Sequence, residues 1–208
     1  MLKTSLENEL ERWNYVIRSK PNDANAYVRR GMVYFKLAKI DASIQDFDRA
    51  EMLNPAILPY LWQRGLSFYY ADRFEEGAKQ FEVDLRVNAQ DVEETVWRYL
   101  CIARAKGVAE ARNSLSIVRN DPRLVMRRVY DLYAGNCTID DVMAVGKEEG
   151  DRGMFYSHLY IGLYYEAENN TEMAKQYIIK AVEEHHLDDY MWNVASVHKT
   201  MRGWSSPG

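Results

Sequence analysis

The residues best suited by type to bind a metal ion lie in the stretch E-E-H-H-L-D-D, residues 183–189. A helical metal site needs ligands on one face, as in the order His-Glu-x-x-His, and that order is absent here. Adjacent histidines such as His185 and His186 point in different directions on a helix. Because histidine is favoured near the carbonyls of a helix C-terminus, we interpret the stretch as a polar helix end and predict no metal.

A nucleophile, a base and an orienting group that could meet are equally hard to find. Cys101 lies in the apolar stripe of a helical pattern, which indicates a core position, and Cys137 has no metal-ligand spacing. His158 takes the place of a packing aromatic residue and is interpreted as a core or groove histidine. We therefore predict that the protein is not an enzyme and uses no cofactor.

Composition and charge describe an ordinary globular chain. The 208 residues are 47% hydrophobic and 28% charged, and the net charge of −4 gives no broad attraction to nucleic acid or to an anionic membrane. No run of 18 apolar residues would cross a membrane, and acidic residues stand where a signal peptide needs an apolar run. Two unpaired thiols favour a reducing compartment. We expect a cytoplasmic protein, or one inside an organelle after removal of a transit peptide.

A repeat of 34 residues organises the first half of the chain, with Gly31 corresponding to Gly65. The same spacing relates Tyr34 to Phe68, Phe47 to Phe81, and Leu53 to Val87. The pattern returns around Gly162, with small residues at 174 and 181. It resembles the tetratricopeptide repeat (TPR), in which glycine and other small residues lie where paired helices cross closely.

The resemblance implies an all-α TPR superhelix, an α-solenoid of about twelve helices, because a single helix pair cannot cover its own apolar face. We predict a single TPR-like domain over residues 1–208. Between the good units the period slips, since Gly65 and Gly162 are 97 residues apart, five short of three periods. The predicted segments are an N-terminal capping helix 2–19, TPR units 24–57 and 58–91, degenerate helical repeats 92–150, a TPR unit 155–187, and a C-terminal capping helix 188–202.

Within the degenerate section, glycine and proline residues suggest the helix limits. We predict one helix that ends at Gly107, a second over Val108–Val118, and a third opened by Asp121-Pro122, with proline in its first turn. Thr138 and Asp141 have the spacing of a capping box for the next helix. Beyond the last helix, residues 203–208 are predicted to be a frayed tail.

A narrower likeness runs through residues 22–197. Its marks are W-R-Y-L-C-I-A-R-A from Trp97, D-P at Asp121 and Y-D-L-Y-A-G from Tyr130. In order these are similar to the bacterial TPR lipoprotein family called new lipoprotein I and its plant-organelle and other eukaryotic relatives. That resemblance implies an adaptor that scaffolds hydrolases or proteases, often as a homodimer. This sequence has no lipobox cysteine and no signal peptide, so membrane anchoring and specific partners are not carried over.

In TPR folds the first helix of each pair lines the concave face, and here those positions are aromatic and apolar. The predicted partner-binding groove residues are Asn25, Val28, Met32, Phe35, Trp62, Leu66, Tyr69, Tyr70, Tyr156 and Leu159. Chaperone-binding TPR domains hold a C-terminal carboxylate with lysine and asparagine residues at three places where this chain has Val28, Met32 and Gln63. We therefore do not expect chaperone tails as ligands.

Three interpretations of this groove stay open. It could receive a peptide or helical segment of another protein, it could be filled by the chain's own terminal helices or by a second copy in a homodimer, or it could hold a small apolar ligand. The predicted function is a non-catalytic protein–protein interaction adaptor or scaffold, with no nucleic acid and no membrane as partner. The alternative is a structural subunit or assembly factor of a larger complex, with the groove used for self-association.

Overall fold

The computed structural model describes residues 2–205, with side chains from residue 4 onward. This part of the chain contains twelve α-helices, one 3-10 helix (Pro55–Tyr60) and no strand, which confirms the all-α class. The α-helices are α1 Leu2–Ser19, α2 Ala24–Lys36, α3 Ile40–Leu53, α4 Trp62–Tyr70, α5 Phe74–Asp84, α6 Val92–Lys106, α7 Val108–Asn113, α8 Leu124–Ala134, α9 Ile139–Glu148, α10 Gly150–Ala167, α11 Thr171–Glu183 and α12 Tyr190–Met201. No helix in this range combines the length and apolar character that a membrane span needs.

The chain divides into two compact units, unit 1 (Met1–Val87) and unit 2 (Asn88–Gly208). Unit 1 contains α1 to α5 and the 3-10 helix, and unit 2 contains α6 to α12. The single domain of residues 1–208 stays a prediction. Residues 206–208 of the predicted tail lie outside the described residues.

Unit 1 is a series of helices in which each packs on the next, from α1 on α2 to α4 on α5. The repeated glycines allow this close approach. A Cβ at Gly31 would lie 3.3 Å from the Phe47 ring, and a Cβ at Gly65 would lie 2.6 Å from the Phe81 ring. The helix pairs therefore cross where the 34-residue pattern places glycine opposite phenylalanine.

The turns within the hairpins repeat as well as the helices do. Ala38, Asp72 and Asn169 all have positive φ, at 55°, 56° and 60°, although none is glycine. Ala38 and Asp72 are 34 residues apart, and each of the three lies in the turn between the first and second helix of its pair. The left-handed conformation costs such residues roughly 1 kcal/mol or more, so helix packing on both sides must hold the turns.

Unit 2 is built around α10, which packs against α6, α8, α9 and α11. Most of the side chains of α10 are buried, including the continuous run Phe155–Leu163. A helix that is apolar all round is typical of the centre of a domain rather than its surface. α12 packs on α11 at the end of the unit.

The degenerate section departs from the predicted helix limits in two places. α7 ends at Asn113 rather than at Val118, and α8 begins at Leu124 rather than at Asp121-Pro122. Asp121 is buried, and its carboxylate accepts hydrogen bonds from the backbone N–H of Val92 and from both the backbone and the guanidinium of Arg123. The carboxylate is thus committed to the first turn of α6, 29 residues earlier, and this long-range contact leaves the segment before α8 non-helical.

Other local predictions are confirmed. α1 has the predicted bounds. Thr138 and Asp141 form the predicted capping box, with Thr138 N–H donating to Asp141 at 2.8 Å and Asp141 N–H donating to Thr138 Oγ1 at 3.3 Å. The helix pair of the predicted unit 155–187 begins earlier than predicted: its first helix, α10, starts at Gly150.

Candidate partner-binding surface

Most of the predicted groove residues are packed inside the protein. Six of the ten are buried: Phe35, Leu66, Tyr69, Tyr70, Tyr156 and Leu159. An adaptor surface requires accessible side chains, so these six serve packing in the chain as described.

In unit 1 the buried aromatic residues join the first helices of the two consecutive repeats. The ring centroids of Phe35 on α2 and Tyr70 on α4 are 5.7 Å apart. Tyr69 contacts Tyr70 at 5.3 Å and Phe74 at 5.6 Å, both edge to face. Such pairs add about 0.5–1.5 kcal/mol each beyond burial, so the aromatic positions mainly bind one repeat to the next.

In unit 2 the predicted groove residues Tyr156 and Leu159 are buried on α10, which packs against α6, α8, α9 and α11. Tyr156 stacks on Tyr160 with ring centroids 6.3 Å apart, and its hydroxyl donates a hydrogen bond to Asp189 at 3.1 Å. Tyr160 in turn donates to Glu93 of α6 at 3.0 Å. The open concave face assumed from the TPR pattern is not available here, because α10 is surrounded by its own unit.

The other four predicted residues reach the surface of unit 1. Asn25 is exposed, and Val28, Met32 and Trp62 are half-buried. Val28 and Met32 are four residues apart on α2 and so share one helix face. Met32 Sδ lies 4.0 Å from Nε2 of Gln63, the second residue of α4, which joins the α2 face to the start of α4. We call Asn25, Val28, Met32, Trp62 and Gln63 the Met32 surface.

Gln63 is the member that sequence reasoning missed. It is 8% exposed, and its Oε1 has no hydrogen-bond partner among residues 2–205. Its Nε2 has only the long contact with Met32 sulfur, a weak acceptor. A buried unpaired amide oxygen costs about 1–3 kcal/mol. The signal in the sequence is the amide residue Gln63 at one of the three places where chaperone-binding TPR domains have lysine or asparagine.

A second recurring feature, the arginine at every 34th residue, is structural. Arg30 donates to both oxygens of Asp46 at 2.7 Å, and Arg64 donates to Oε1 of Gln80 at 2.9 and 2.8 Å. Arg98 donates to the carbonyl of Ser114 at 2.7 Å. In each case the acceptor is 16 residues later. The spacing 30, 64, 98 was available in the sequence and marks side chains that tie the two helices of a pair together.

A surface cavity of about 410 Å³ lies beside Arg64 in unit 1. Most of the charged groups in its wall are paired, since Arg64 also binds Asp48 at 2.9 Å and Glu51 at 2.6 Å, and Arg73 binds Glu76. Near this network, burial raises the pKa of Asp84 to about 7, against the smaller lowering effects of Gln80 and Arg64. The cavity therefore presents compensated charge rather than a ready site for an ionic ligand.

One partly buried cluster of charged groups in unit 2, formed by Arg123, Glu93 and Asp121, is paired in the same way. Arg123 donates to Glu93 at 2.7 Å and to Asp121 at 2.7 Å. Burial raises the pKa of Glu93, and the hydrogen bonds from Arg123 and Tyr160 oppose that rise. Cys101 is fully buried, as the core interpretation expects, and burial raises the pKa of its thiol.

Histidines from distant parts of unit 2 meet in the fold. Donor atoms of His158, Glu184 and His185 all lie within 4.8 Å of one another. His186 is not among them, and its ring contacts Trp192 with centroids 4.5 Å apart. Sequence reasoning placed His158 and His185 in separate features, so this group was not predicted.

One family model matches the chain over α2, α3 and the turn between them. Residues 24–57 match the tetratricopeptide repeat. The TPR match covers the first predicted unit, and the narrower likeness to the new lipoprotein I family stays a prediction. Tetratricopeptide repeats generally mediate protein–protein interactions and are typically non-catalytic.

Proposed function

We propose that the protein is a non-catalytic adaptor that binds a segment of a partner protein at the Met32 surface of unit 1. The observation that carries this proposal is the buried amide of Gln63, with its unpartnered Oε1, beside half-exposed apolar side chains in the TPR-containing unit.

The chemistry of the surface defines the segment that fits it. The apolar side chains of Val28, Met32 and Trp62 favour an apolar anchor, and tryptophan and methionine are enriched in protein interfaces. Oε1 of Gln63 is buried and lacks an N–H donor, and a partner's backbone or side-chain amide supplies one when the Gln63 side chain turns toward the surface. Asn25 is exposed at the edge of this surface and adds a polar contact. The partner is therefore a segment that presents an apolar side chain next to an amide donor.

The first test compares matched variants. Met32→Glu places a charge in the surface, and Met52→Glu makes the same change at a methionine of α3 that is 72% exposed and lies outside it. Partners recovered with the wild type should be lost with Met32→Glu and retained with Met52→Glu. The bound segment, mapped with overlapping peptides, should then bind Trp62→Ala about 30-fold more weakly, as expected for a hot spot of about 2 kcal/mol.

The solution mass of each variant separates the alternative function. A wild-type dimer that Trp62→Ala or Met32→Glu dissociates, while Met52→Glu does not, would assign the surface to self-association within a structural assembly. Partners that bind all variants equally would show that the adaptor site is elsewhere. Either result would overturn the proposal.

A further inference from the structure

His158, Glu184 and His185 come together from two parts of unit 2. His158 lies in the middle of α10, Glu184 directly follows the last residue of α11, and His185 begins the connection to α12. Both histidines are buried and Glu184 is exposed. Nδ1 of His158 is 3.1 Å from Nε2 of His185.

The hydrogen bonds determine where the imidazole protons lie. Nδ1 of His185 is 2.6 Å from a carboxylate oxygen of Asp151. Because an ionised carboxylate only accepts, Nδ1 of His185 is the donor in this contact. In the neutral form of His185, Nε2 has a free lone pair, and the proton between the two rings then lies on Nδ1 of His158. Replacing that proton by a cation would give the cation two imidazole nitrogens.

The distance between the nitrogens suits this exchange. Two nitrogens at about 2.0–2.1 Å from a tetrahedral zinc ion are about 3.3 Å apart, close to the 3.1 Å between the two histidines. A carboxylate oxygen of Glu184 lies within 4.8 Å of both ligand atoms, so a small side-chain movement brings it into range. Asp151 stands where a carboxylate commonly orients a metal-binding histidine.

The surroundings hold the two histidines in place and keep His158 uncharged. Burial, followed by the influence of His185 and Lys180, lowers the pKa of His158 to about 4, so the ring is neutral at neutral pH. The indole N–H of Trp192 donates to the backbone carbonyl of His185 at 2.8 Å. A neutral, positioned imidazole is the form that binds metals.

We propose that His158, His185 and Glu184 bind a divalent transition metal of the Zn²⁺ class, with Asp151 orienting His185. Three protein ligands leave one coordination position for water or for a donor from a partner. The ion would tie the connection between α11 and α12 to the central helix α10. This site is independent of the Met32 surface, which lies in unit 1.

Calorimetric titration of the full chain with Zn²⁺ alone, after dialysis against a chelator, tests the proposal. We expect one ion per chain, and visible spectra of the Co²⁺ form typical of tetrahedral coordination. His185→Gln should weaken Zn²⁺ binding at least 100-fold. Glu184→Gln and Asp151→Asn, both at exposed carboxylates, should weaken it about 10–100-fold while the far-ultraviolet circular dichroism stays that of the wild type.

His186→Gln is the matched control, because His186 is the neighbouring histidine outside the cluster. Its affinity for Zn²⁺ and the rise of its Tm on Zn²⁺ addition should equal those of the wild type. Absence of Zn²⁺ binding by the wild type would overturn the proposal. The proposal would also be overturned if His186→Gln weakened Zn²⁺ binding as much as His185→Gln does, or if the two carboxylate variants did not weaken it at all. Either result would indicate non-specific binding of Zn²⁺ to the surface.

Discussion

Asp84 of α5 is the residue whose replacement should most clearly change stability with pH. Its side chain is 1% exposed, and Oδ1 accepts a hydrogen bond from Nε2 of Gln80 at 2.7 Å. Oδ2 has no hydrogen-bond partner in the described part of the chain. Burial raises the pKa of Asp84 to about 7, from the ordinary value of 3.8.

The raised pKa determines both the sign and the size of the effect. Below about pH 4 the carboxyl is protonated in the folded and the unfolded protein, so it costs no stability. Between about pH 4 and pH 7 the unfolded carboxyl is ionised while the folded carboxyl keeps its proton, so stability falls as the pH rises, and above pH 7 the loss levels off. A rise of the pKa from 3.8 to about 7, at 1.36 kcal/mol per pH unit, corresponds to about 4 kcal/mol of stability lost by pH 8.

Asp84→Asn removes the charge and keeps an oxygen that can accept from Gln80. We expect the variant to be more stable than the wild type by about 2–4 kcal/mol at pH 8 and by much less at pH 4.5. Urea denaturation followed by circular dichroism between these pH values measures the difference. The other ionisable groups are common to both proteins and cancel in it.

Asp48→Asn is the control for this experiment, since Asp48 loses the same charge at a half-exposed position 2.9 Å from Arg64. It should change stability by less than about 1 kcal/mol, in the destabilising direction. A stability difference between Asp84→Asn and the wild type that does not vary with pH would refute the reasoning. So would an Asp48→Asn variant that reproduces the pH dependence expected for Asp84→Asn.

Three further predictions concern packing, ion pairing and acid stability. Arg64→Met should lower the free energy of unfolding by about 1–3 kcal/mol in urea titrations, because it leaves the buried amide oxygen of Gln80 without its donor; an effect below about 0.5 kcal/mol would contradict this. Gly65→Ala should lower the free energy of unfolding by about 1–3 kcal/mol, and by more than Gly31→Ala does. The added Cβ would lie 2.6 Å from the opposing ring at position 65 and 3.3 Å from it at position 31. Equal decreases in Tm for the two variants would contradict this prediction. Burial lowers the pKa of His198 to about 4, so the free energy of unfolding of the wild type should fall by about 3 kcal/mol between pH 6.5 and pH 4. The decrease should be smaller for His198→Gln. An NMR titration that places the pKa of His198 near 6.5 would disprove the cause.

Much of the fold could be read from local patterns. The 34-residue spacing of Gly31 and Gly65 predicted the helix pairs, because a glycine opposite a phenylalanine is a requirement of close helix crossing. The bounds of α1 and the capping box at Thr138 could be predicted as well, because helix caps and apolar stripes depend on residues within a few turns of one another. The non-helical segment before α8 was not predicted, because Asp121 acts on Val92, far away in sequence.

The candidate sites were harder to predict, because they depend on which helices become neighbours. Six groove positions carry the residue types of a binding surface, yet all six are buried, two on α10 of unit 2 and four on α2 and α4 of unit 1. The amide of Gln63 meets Met32, which lies 31 residues earlier in the chain. Nothing in the sequence near His158 indicates that His185 will lie 3.1 Å away.

The sequence by itself thus determined the helices, their pairing within repeats and the α-helical class, because these follow from periodicity, small residues at crossings and local hydrogen bonds. Only the tertiary structure decided which of the aromatic residues remain accessible, which polar atoms are left unpaired and which histidines meet. Accessibility and proximity are properties of helices packed together, and residues far apart in the chain decide them.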